Sequence, residues 1–456
     1  MLQTLNHLKP LAGTDAERSD LSAQFSDLNP PLNARQAATE SARCLYCYDA
    51  PCTRICPTGI DVPQFIRQIA DHNLNGAAKT ILDSNILGAS CARVCPTEIL
   101  CEQACVRNHC DEQEPVKIGL LQRYALDHMV FDAPHPFARA ALTGKRIAIV
   151  GAGPAGLSCA HQLARLGHDV TIFEAQAKSG GLNEYGIARY KMTNDIAQRE
   201  VAFLLQIGGI RIEYGQALGR DIHLAELKQN YDAVFLAIGL GDSKALALPD
   251  EDAPGVEAAI SYIAELRQAR DLHALPVPAR CIVIGAGNTA IDMAVQIARL
   301  GAREVTLVYR RGAAQMSATA HEQSIAKENG VRIVSWAQPQ QIMLNERGEV
   351  TGMRFARTRE AGGKLIATGE MLEITADAVF KAIGQQLSGA TMADSLLQDI
   401  QRDGGKIRTD AAYRTSLTGV YAGGDCIAAG QDLTVQAVQH GKLAAQAINH
   451  DLMKRG

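Results

Sequence analysis

This chain has no apolar run long enough to cross a bilayer, no basic block and no leader-like start, and each absence excludes something. The nearest approach to a membrane span, AVFLAIGLG from Ala233, meets Asp242 and Lys244 soon after. The formal net charge is −4 and the positive charge is dispersed, so neither nucleic acid nor a membrane surface is an expected partner. Lys454 and Arg455 read as a solvated tail. The opening MLQTLNHLKP lacks a charged segment followed by an apolar one, so the expectation is a cytoplasmic protein whose thiols stay reduced.

What is present is a globular composition, 47% apolar and 21% charged, over 456 residues, enough for two to four domains. Nine of the twelve cysteines lie between Cys44 and Cys110, whereas Cys159, Cys281 and Cys426 are scattered. In a small secreted domain that density would mean disulfides; in a large cytosolic chain it points to metal binding. The first forty residues are polar and contain Asn29-Pro30-Pro31, an arm leading into a helix near Ala34 to Ala42. From Cys44 to about Asp132 the periodicity is helical, with Phe65, Ile66 and Ile69 on one apolar face and Ile81, Leu82 and Ile86 on another. No strand is expected there. His135-Pro136 and Thr143-Gly144 punctuate a linker.

After Lys145 the texture changes. RIAIVGAGPAGLSCAHQLARLGHDVTIFEA reads strand, glycine turn, helix, strand, and RCIVIGAGNTAIDMAVQIARLGAREVTLVYRR repeats that plan about 130 residues later. Two such units imply two dinucleotide sites. In the first, Gly151, Gly153 and Gly156 form G-x-G-x-x-G around Pro154 and Ala155. The glycines allow a tight turn, a close approach to pyrophosphate and tight helix packing, with the helix N-terminus facing the anion. Glu174 ends the second strand, where a carboxylate can accept from ribose hydroxyls. Gly180-Gly181-Leu182 follows, and TSLTGVYAGGDC sets Gly424 and Asp425 after a late strand. This is similar to the flavin-reductase pattern in which that aspartate binds the ribityl chain, so the first ligand is expected to be FAD. A helix starting at Thr434 would direct its positive end at the flavin ring.

The second unit carries Gly285, Gly287, Asn288, Thr289 and Ala290 as its fingerprint, with Gly384 assigned to the same cofactor region. Where the first unit has Glu174, the second has Tyr309, then Arg310 and Arg311. Two guanidinium groups suit a 2′-phosphate, which favours NADPH; one of them solvated or stacked on adenine is the alternative, and the choice between NADH and NADPH stays open.

The cysteines form C-x2-C-x4-C-x3-C-P at Cys44, Cys47, Cys52 and Cys56, and C-x3-C-P-x4-C-x3-C at Cys91, Cys95, Cys101 and Cys105. A zinc site normally uses two C-x2-C pairs, and only one is here. The first group is close to the ferredoxin run C-x2-C-x2-C-x3-C-P, and eight thiols are what two tetranuclear clusters require. A dithiol exchange site at Cys44 and Cys47 is the remaining rival, disfavoured because no cysteine pair accompanies the dinucleotide folds.

Together with CLYCYDAPC, CARVCPTEILC and IGLLQRYALD, this combination resembles the electron-input module shared by dihydropyrimidine dehydrogenase and the glutamate synthase small subunit. The resemblance covers nearly the whole chain, and it is greatest for the NAD(P)H-oxidising subunits of bacterial dihydropyrimidine dehydrogenase. It implies an N-terminal α-helical iron–sulfur domain plus two α/β Rossmann-like, glutathione-reductase-type dinucleotide-binding domains. The expected boundaries are 1–140 for the iron–sulfur domain, 141–265 and 376–456 for the two parts of the FAD domain, and 266–375 for the NAD(P) domain. It also implies that one [4Fe-4S] cluster is held by Cys44, Cys47, Cys52 and Cys105, and the other by Cys56, Cys95, Cys101 and Gln122. Cys91 in place of Gln122 is the alternative.

By the same resemblance, hydride from NAD(P)H passes to FAD, and electrons cross two clusters to a partner subunit. That partner, bearing FMN and iron–sulfur centres, reduces uracil or thymine, and the assembly is a heterotetramer. The chain has no room for an FMN-bearing β/α barrel of about 250 residues. No acid–base residue is assigned, because the redox chemistry belongs to the cofactors. Two departures stand out: GIARYKMT places Lys191 where relatives carry an arginine touching FAD, and Arg310-Arg311 stands where some NADH-specific relatives carry acids. A glutamate synthase small subunit is the rival enzyme. A zinc-stabilised structural or regulatory protein with degenerate dinucleotide folds is the rival of another class.

Overall fold

The computed structural model describes residues 5, 21–110, 113–131 and 135–454. The longer helices of the cysteine-rich module are α1 (Ala34–Ala42), α2 (Val62–Ala70), α3 (Leu74–Ser84), α4 (Gly88–Val94) and α5 (Ile118–Asp127). The first three start at side chains that accept orphan N–H groups. Asn33 and Gln36 form a reciprocal capping box on α1, and Asp61 and Asn73 accept from Gln64 N and Gly76 N. Phe65, Ile66 and Ile69 are buried on one face, and Ile81, Leu82 and Ile86 on another, as the periodicity predicts. The Asp127 carboxylate joins α4 to α5 by taking Arg93 at 2.7 Å and Arg123 at 3.1 Å.

The first dinucleotide fold follows: β1 (Arg146–Val150), α6 (Pro154–Arg165), β2 (Asp169–Glu174), α7 (Ile196–Leu205), β3 (Ile210–Tyr214) and β4 (Ala233–Leu236). The second contains β5 (Val256–Ala258), α8 (Ala259–Gln268), β6 (Arg280–Gly285), α9 (Asn288–Arg299), β7 (Glu304–Val308), α10 (Ala320–Glu328) and β8 (Arg332–Val334). An antiparallel sheet of β9 (Ala337–Leu344), β10 (Val350–Ala361) and β11 (Lys364–Thr375) comes next, then β12 (Ala378–Ala382). The chain ends with β13 (Val420–Ala422) and α11 (Thr434–Met453).

The strands assemble as two five-stranded sheets, β13-β4-β1-β2-β3 and β5-β12-β6-β7-β8. Every pair in both is parallel, and the strands are buried at most positions. The chain divides into two compact units. One holds the described residues within 29–184, 194–241 and 387–454; the other holds those within 1–28, 185–193 and 242–386. The cysteine-rich module and the first dinucleotide fold thus share a unit. The arm is not a free lead-in, because Leu5 and Phe25 are buried in the second unit's core and Leu28 N bonds Tyr190 O at 2.9 Å. Among the described residues no helix is long and apolar enough to cross a membrane.

Candidate cofactor sites

The first glycine turn is shaped by backbone contacts that exclude side chains. A Cβ on Gly151 (φ 101°) would sit 2.3 Å from Ala237 O, and one on Gly156 would sit 2.0 Å from Gly151 O. Gly153 is different: a Cβ there would be 3.7 Å from the Cα of Gly181, so its exposed backbone can approach a phosphate. Pro154 and Ala155 open α6. Glu174, at the end of β2, accepts from Ala152 N at 2.7 Å and Gln176 N at 2.8 Å, so the carboxylate braces the turn. Burial pushes its pKa up against those hydrogen bonds. A carboxylate has about four lone-pair sites, which leaves acceptor capacity for ribose hydroxyls.

Three more segments meet this turn. Gly180 N bonds Ala152 O at 2.7 Å, bringing Gly181 and the half-exposed Leu182 beside it. A Cβ on Gly424 (φ 79°) would lie 3.0 Å from that of Ala155, which places Asp425 next to the loop. Burial, with Asp432 adding to it and Lys406 opposing, pushes the Asp425 carboxyl up to about 6. Thr434 Oγ1 donates to Asn183 Oδ1 at 3.0 Å, so the first turn of α11 closes the group. His440, which the sequence analysis did not single out, accepts from Gly424 N at 3.2 Å, and burial lowers its pKa, favouring the neutral ring. Lys191 lies in the other unit. Its ammonium there lies 2.7 Å from both Asp292 and Glu322, whose attraction outweighs burial and raises its pKa.

In the second fold, a Cβ on Gly285 would sit 2.3 Å from Ala382 O, while Ala290 fills the third fingerprint position. Gly287 caps α9, whose first residues are Asn288 and Thr289. Tyr309 Oη donates to Gln315 O at 3.0 Å. The next two residues are pinned by their carbonyls, Arg310 O to Thr358 Oγ1 at 2.7 Å and Arg311 O to Trp336 N at 3.0 Å, while both side chains are exposed. Gly384 (φ 103°) accepts from Lys244 N through its carbonyl at 3.0 Å.

All twelve cysteines are free thiols. Their mutual influences connect eight of them. Cys44 faces Cys105 and Cys47, and Cys52 faces Cys105 and Cys44; burial raises both, Cys52 to about 11. Cys95 faces Cys91, Cys101 and Cys56. Its pKa is raised first by a hydrogen bond with Cys91 and then by burial, and that of Cys101 by burial, then Glu102, Cys56 and Cys52, so the two sets adjoin at Cys52 and Cys101. Among the described residues no three His, Cys, Asp or Glu side chains converge to hold a metal ion. Cys44, Cys52, Cys95 and Cys101, all raised, resist ionisation unless a cationic centre compensates them, which is the chemistry an iron–sulfur core would supply. Gln122 is buried on α5 and donates Nε2 to Gly88 O at 2.7 Å.

A contact that the sequence analysis missed secures this module. Glu200 on α7 takes Ala89 N at 2.7 Å, Ser90 N at 3.1 Å and the Ser90 hydroxyl at the start of α4. Burial lifts its pKa from the usual 4.5 to about 7. A carboxyl raised on folding stabilises most below its unfolded value and loses that contribution as pH rises through the folded one. Wild-type stability should therefore fall relative to Glu200→Gln by roughly 2–3 kcal/mol from about pH 5 to about pH 8, read as urea midpoints. Parallel pH profiles would remove Glu200 as the cause.

Two dinucleotide folds and a thiol-rich helical module on one chain define a nicotinamide- and flavin-dependent oxidoreductase with an iron–sulfur module. The comparisons agree. Residues 145–441 match the pyridine nucleotide-disulphide oxidoreductase family, and residues 21–132 match dihydropyrimidine dehydrogenase domain II, 4Fe-4S cluster. The chain belongs to the pyridine nucleotide-disulphide oxidoreductase family, in the group that includes PreT subunits and the glutamate synthase small chain. It is 35% identical to the NAD-dependent dihydropyrimidine dehydrogenase subunit PreT of Salmonella typhimurium, over 94% of this chain and 97% of that one. It is 33% identical to the NADPH glutamate synthase small chain of Escherichia coli, over 93% of each. Mycobacterium tuberculosis FprA in complex with NADPH has the same fold over 68% of this chain and 85% of its own, with TM-score 0.56 and 20% identity. The thioredoxin reductase of T. acidophilum matches over 68% of this chain and 99% of its own, with TM-score 0.52 and 21% identity.

Proposed function

We propose that this chain is the electron-input subunit of a dihydropyrimidine dehydrogenase, taking reducing equivalents from NAD(P)H and passing them to a partner subunit that reduces uracil or thymine. The observation that carries this reading is the match of residues 21–132 to the dihydropyrimidine dehydrogenase 4Fe-4S domain, on a chain that also aligns with PreT over almost its full length. Bound FAD supplies the change from two-electron to one-electron transfer, and bound clusters supply one-electron conduction.

The residues hold and orient these groups. Gly151, Gly153 and Gly156 admit the FAD pyrophosphate, Glu174 and Asp425 its hydroxyls, and Thr434 with α11 the ring. Gly285, Gly287 and Ala290 admit the nicotinamide coenzyme. Cys44, Cys47, Cys52 and Cys105 hold one [4Fe-4S] cluster; Cys56, Cys95 and Cys101 hold a second, completed by Gln122 or Cys91. In this reading residues 1–140 form the iron–sulfur domain, 141–265 with 376–456 the FAD domain and 266–375 the NAD(P) domain. The partner carries FMN, and the two assemble as a heterotetramer.

The test is reconstitution with a candidate FMN-bearing partner under anaerobic conditions. NAD(P)H oxidation dependent on uracil is expected; oxidation dependent on glutamine and 2-oxoglutarate instead would make it a glutamate synthase small subunit, which the 33% identity to that chain keeps in view. For the coenzyme, changing Arg310 and Arg311 together to alanine should raise the KM for NADPH about tenfold or more and leave that for NADH nearly constant, as loss of charge-assisted hydrogen bonds to a phosphate requires. Equal effects on both coenzymes would remove the phosphate role.

A further inference from the structure

Helix α11 reaches two sites. Thr434 in its first turn meets Asn183 beside the glycine loop. Lys442 lies eight residues on, about 12 Å along the axis at 1.5 Å per residue. There its ammonium crosses to the cysteine-rich module and donates to Thr58 O at 3.0 Å and Ser84 O at 2.8 Å. Thr58 stands two residues after Cys56, and its hydroxyl is 3.4 Å from Cys56 Sγ.

The charges around Lys442 leave it underneutralised. Both hydrogen-bond acceptors are backbone carbonyls, not carboxylates. Asp83, the nearby acid, is paired with Arg165 at 2.9 Å, and Arg165 itself repels the ammonium. Burial lowers the Lys442 pKa, and the attraction of Cys56 and then Asp83 opposes it. A positive charge held in a partly desolvated place acts strongly on whatever gains negative charge beside it.

We propose that Lys442 is a positioning residue for electron exit: it joins the flavin-bearing helix to the second cysteine group and raises the reduction potential of the cluster bound through Cys56. The inference rests on the reading of Cys56, Cys95 and Cys101 as cluster ligands. Reduction adds a negative charge to a cluster, and net charge and hydrogen bonding near its sulfurs set its potential. A cation at Cys56 therefore favours the electron on the cluster nearer the flavin helix.

The test uses anaerobically purified full-length protein with EPR-monitored redox titration of wild type, Lys442→Gln and Lys442→Arg. Glutamine keeps a donor for the carbonyls and removes the charge; arginine keeps the charge. The expected result is a lower midpoint for one cluster signal in Lys442→Gln, an unshifted second signal and an unaltered flavin spectrum, with Lys442→Arg close to wild type. An unchanged midpoint in Lys442→Gln at full iron content, or equal shifts of both signals, overturns the proposal. Should Lys442→Gln lose one cluster on purification, retention by Lys442→Arg supports the charge and loss in both overturns it. Wild-type protein without acid-labile sulfide sinks the proposed function itself, a result separable from these.

Discussion

Replacing Gly441 by alanine is expected to strip most of the bound flavin from the purified protein and to lower its thermal midpoint by about 6–12 °C, following a loss of roughly 3 kcal/mol. The reason is that α11 touches α6 backbone to backbone. A Cβ on Gly441 would sit 2.1 Å from Ala155 O and 2.9 Å from Cys159 N, and neither atom can rotate away. Nearby, Ser158 Oγ donates to Val438 O at 2.7 Å, so separating the helices also strands a buried hydroxyl. Because α6 begins at the glycine turn, any displacement moves Gly153 and Ala155 away from Gly181 and Gly424. Gln446, exposed on the same helix, provides the control: Gln446→Ala should retain flavin and midpoint alike. Full flavin occupancy in Gly441→Ala would show that the helices can separate without disturbing the site.

Single serine substitutions at Cys95 and Cys105 should each remove roughly half of the iron and acid-labile sulfide, and leave different EPR signals behind. The expectation follows from the proposed ligand sets: Cys105 influences Cys44 and Cys52 in one, and Cys95 faces Cys91, Cys101 and Cys56 in the other, the two adjoining at Cys52 and Cys101. Were all eight thiols around a single centre, either substitution would remove everything. Gln122→Ala and Cys91→Ser then decide the fourth ligand of the second group. The variant that loses the same signal as Cys95→Ser identifies it, and the other should keep both signals. A single zinc with no sulfide in the parent protein would dismiss the cluster assignment altogether.

The features legible in the sequence were local ones. Gly151 to Glu174 is one strand–turn–helix–strand passage, and Gly285 to Arg311 repeats it, so spacing alone predicts a parallel sheet with a phosphate turn at each. The helical faces of Phe65, Ile66 and Ile69 and of Ile81 and Leu82 were readable for the same reason, since side chains three and four apart share a helix surface. Less was visible in the antiparallel sheet. Along β11 no residue is fully buried, and Leu372 and Ile374 pack against a core whose other members lie far from them in sequence, so Lys364–Thr375 shows little sustained alternation to betray a strand.

From its residues alone, this chain determined that it has two dinucleotide turns and eight thiols at cluster-like spacing. Tertiary structure alone decided that Lys191 sits with Asp292 and Glu322, that Glu200 fastens α4 from 110 residues away, and that Lys442 reaches Thr58 across 384. Periodicity and motif spacing record how a segment fills its own turns and pleats. Contacts across hundreds of residues depend on which surfaces close together once the backbone is packed, and nothing in either short segment encodes its distant counterpart.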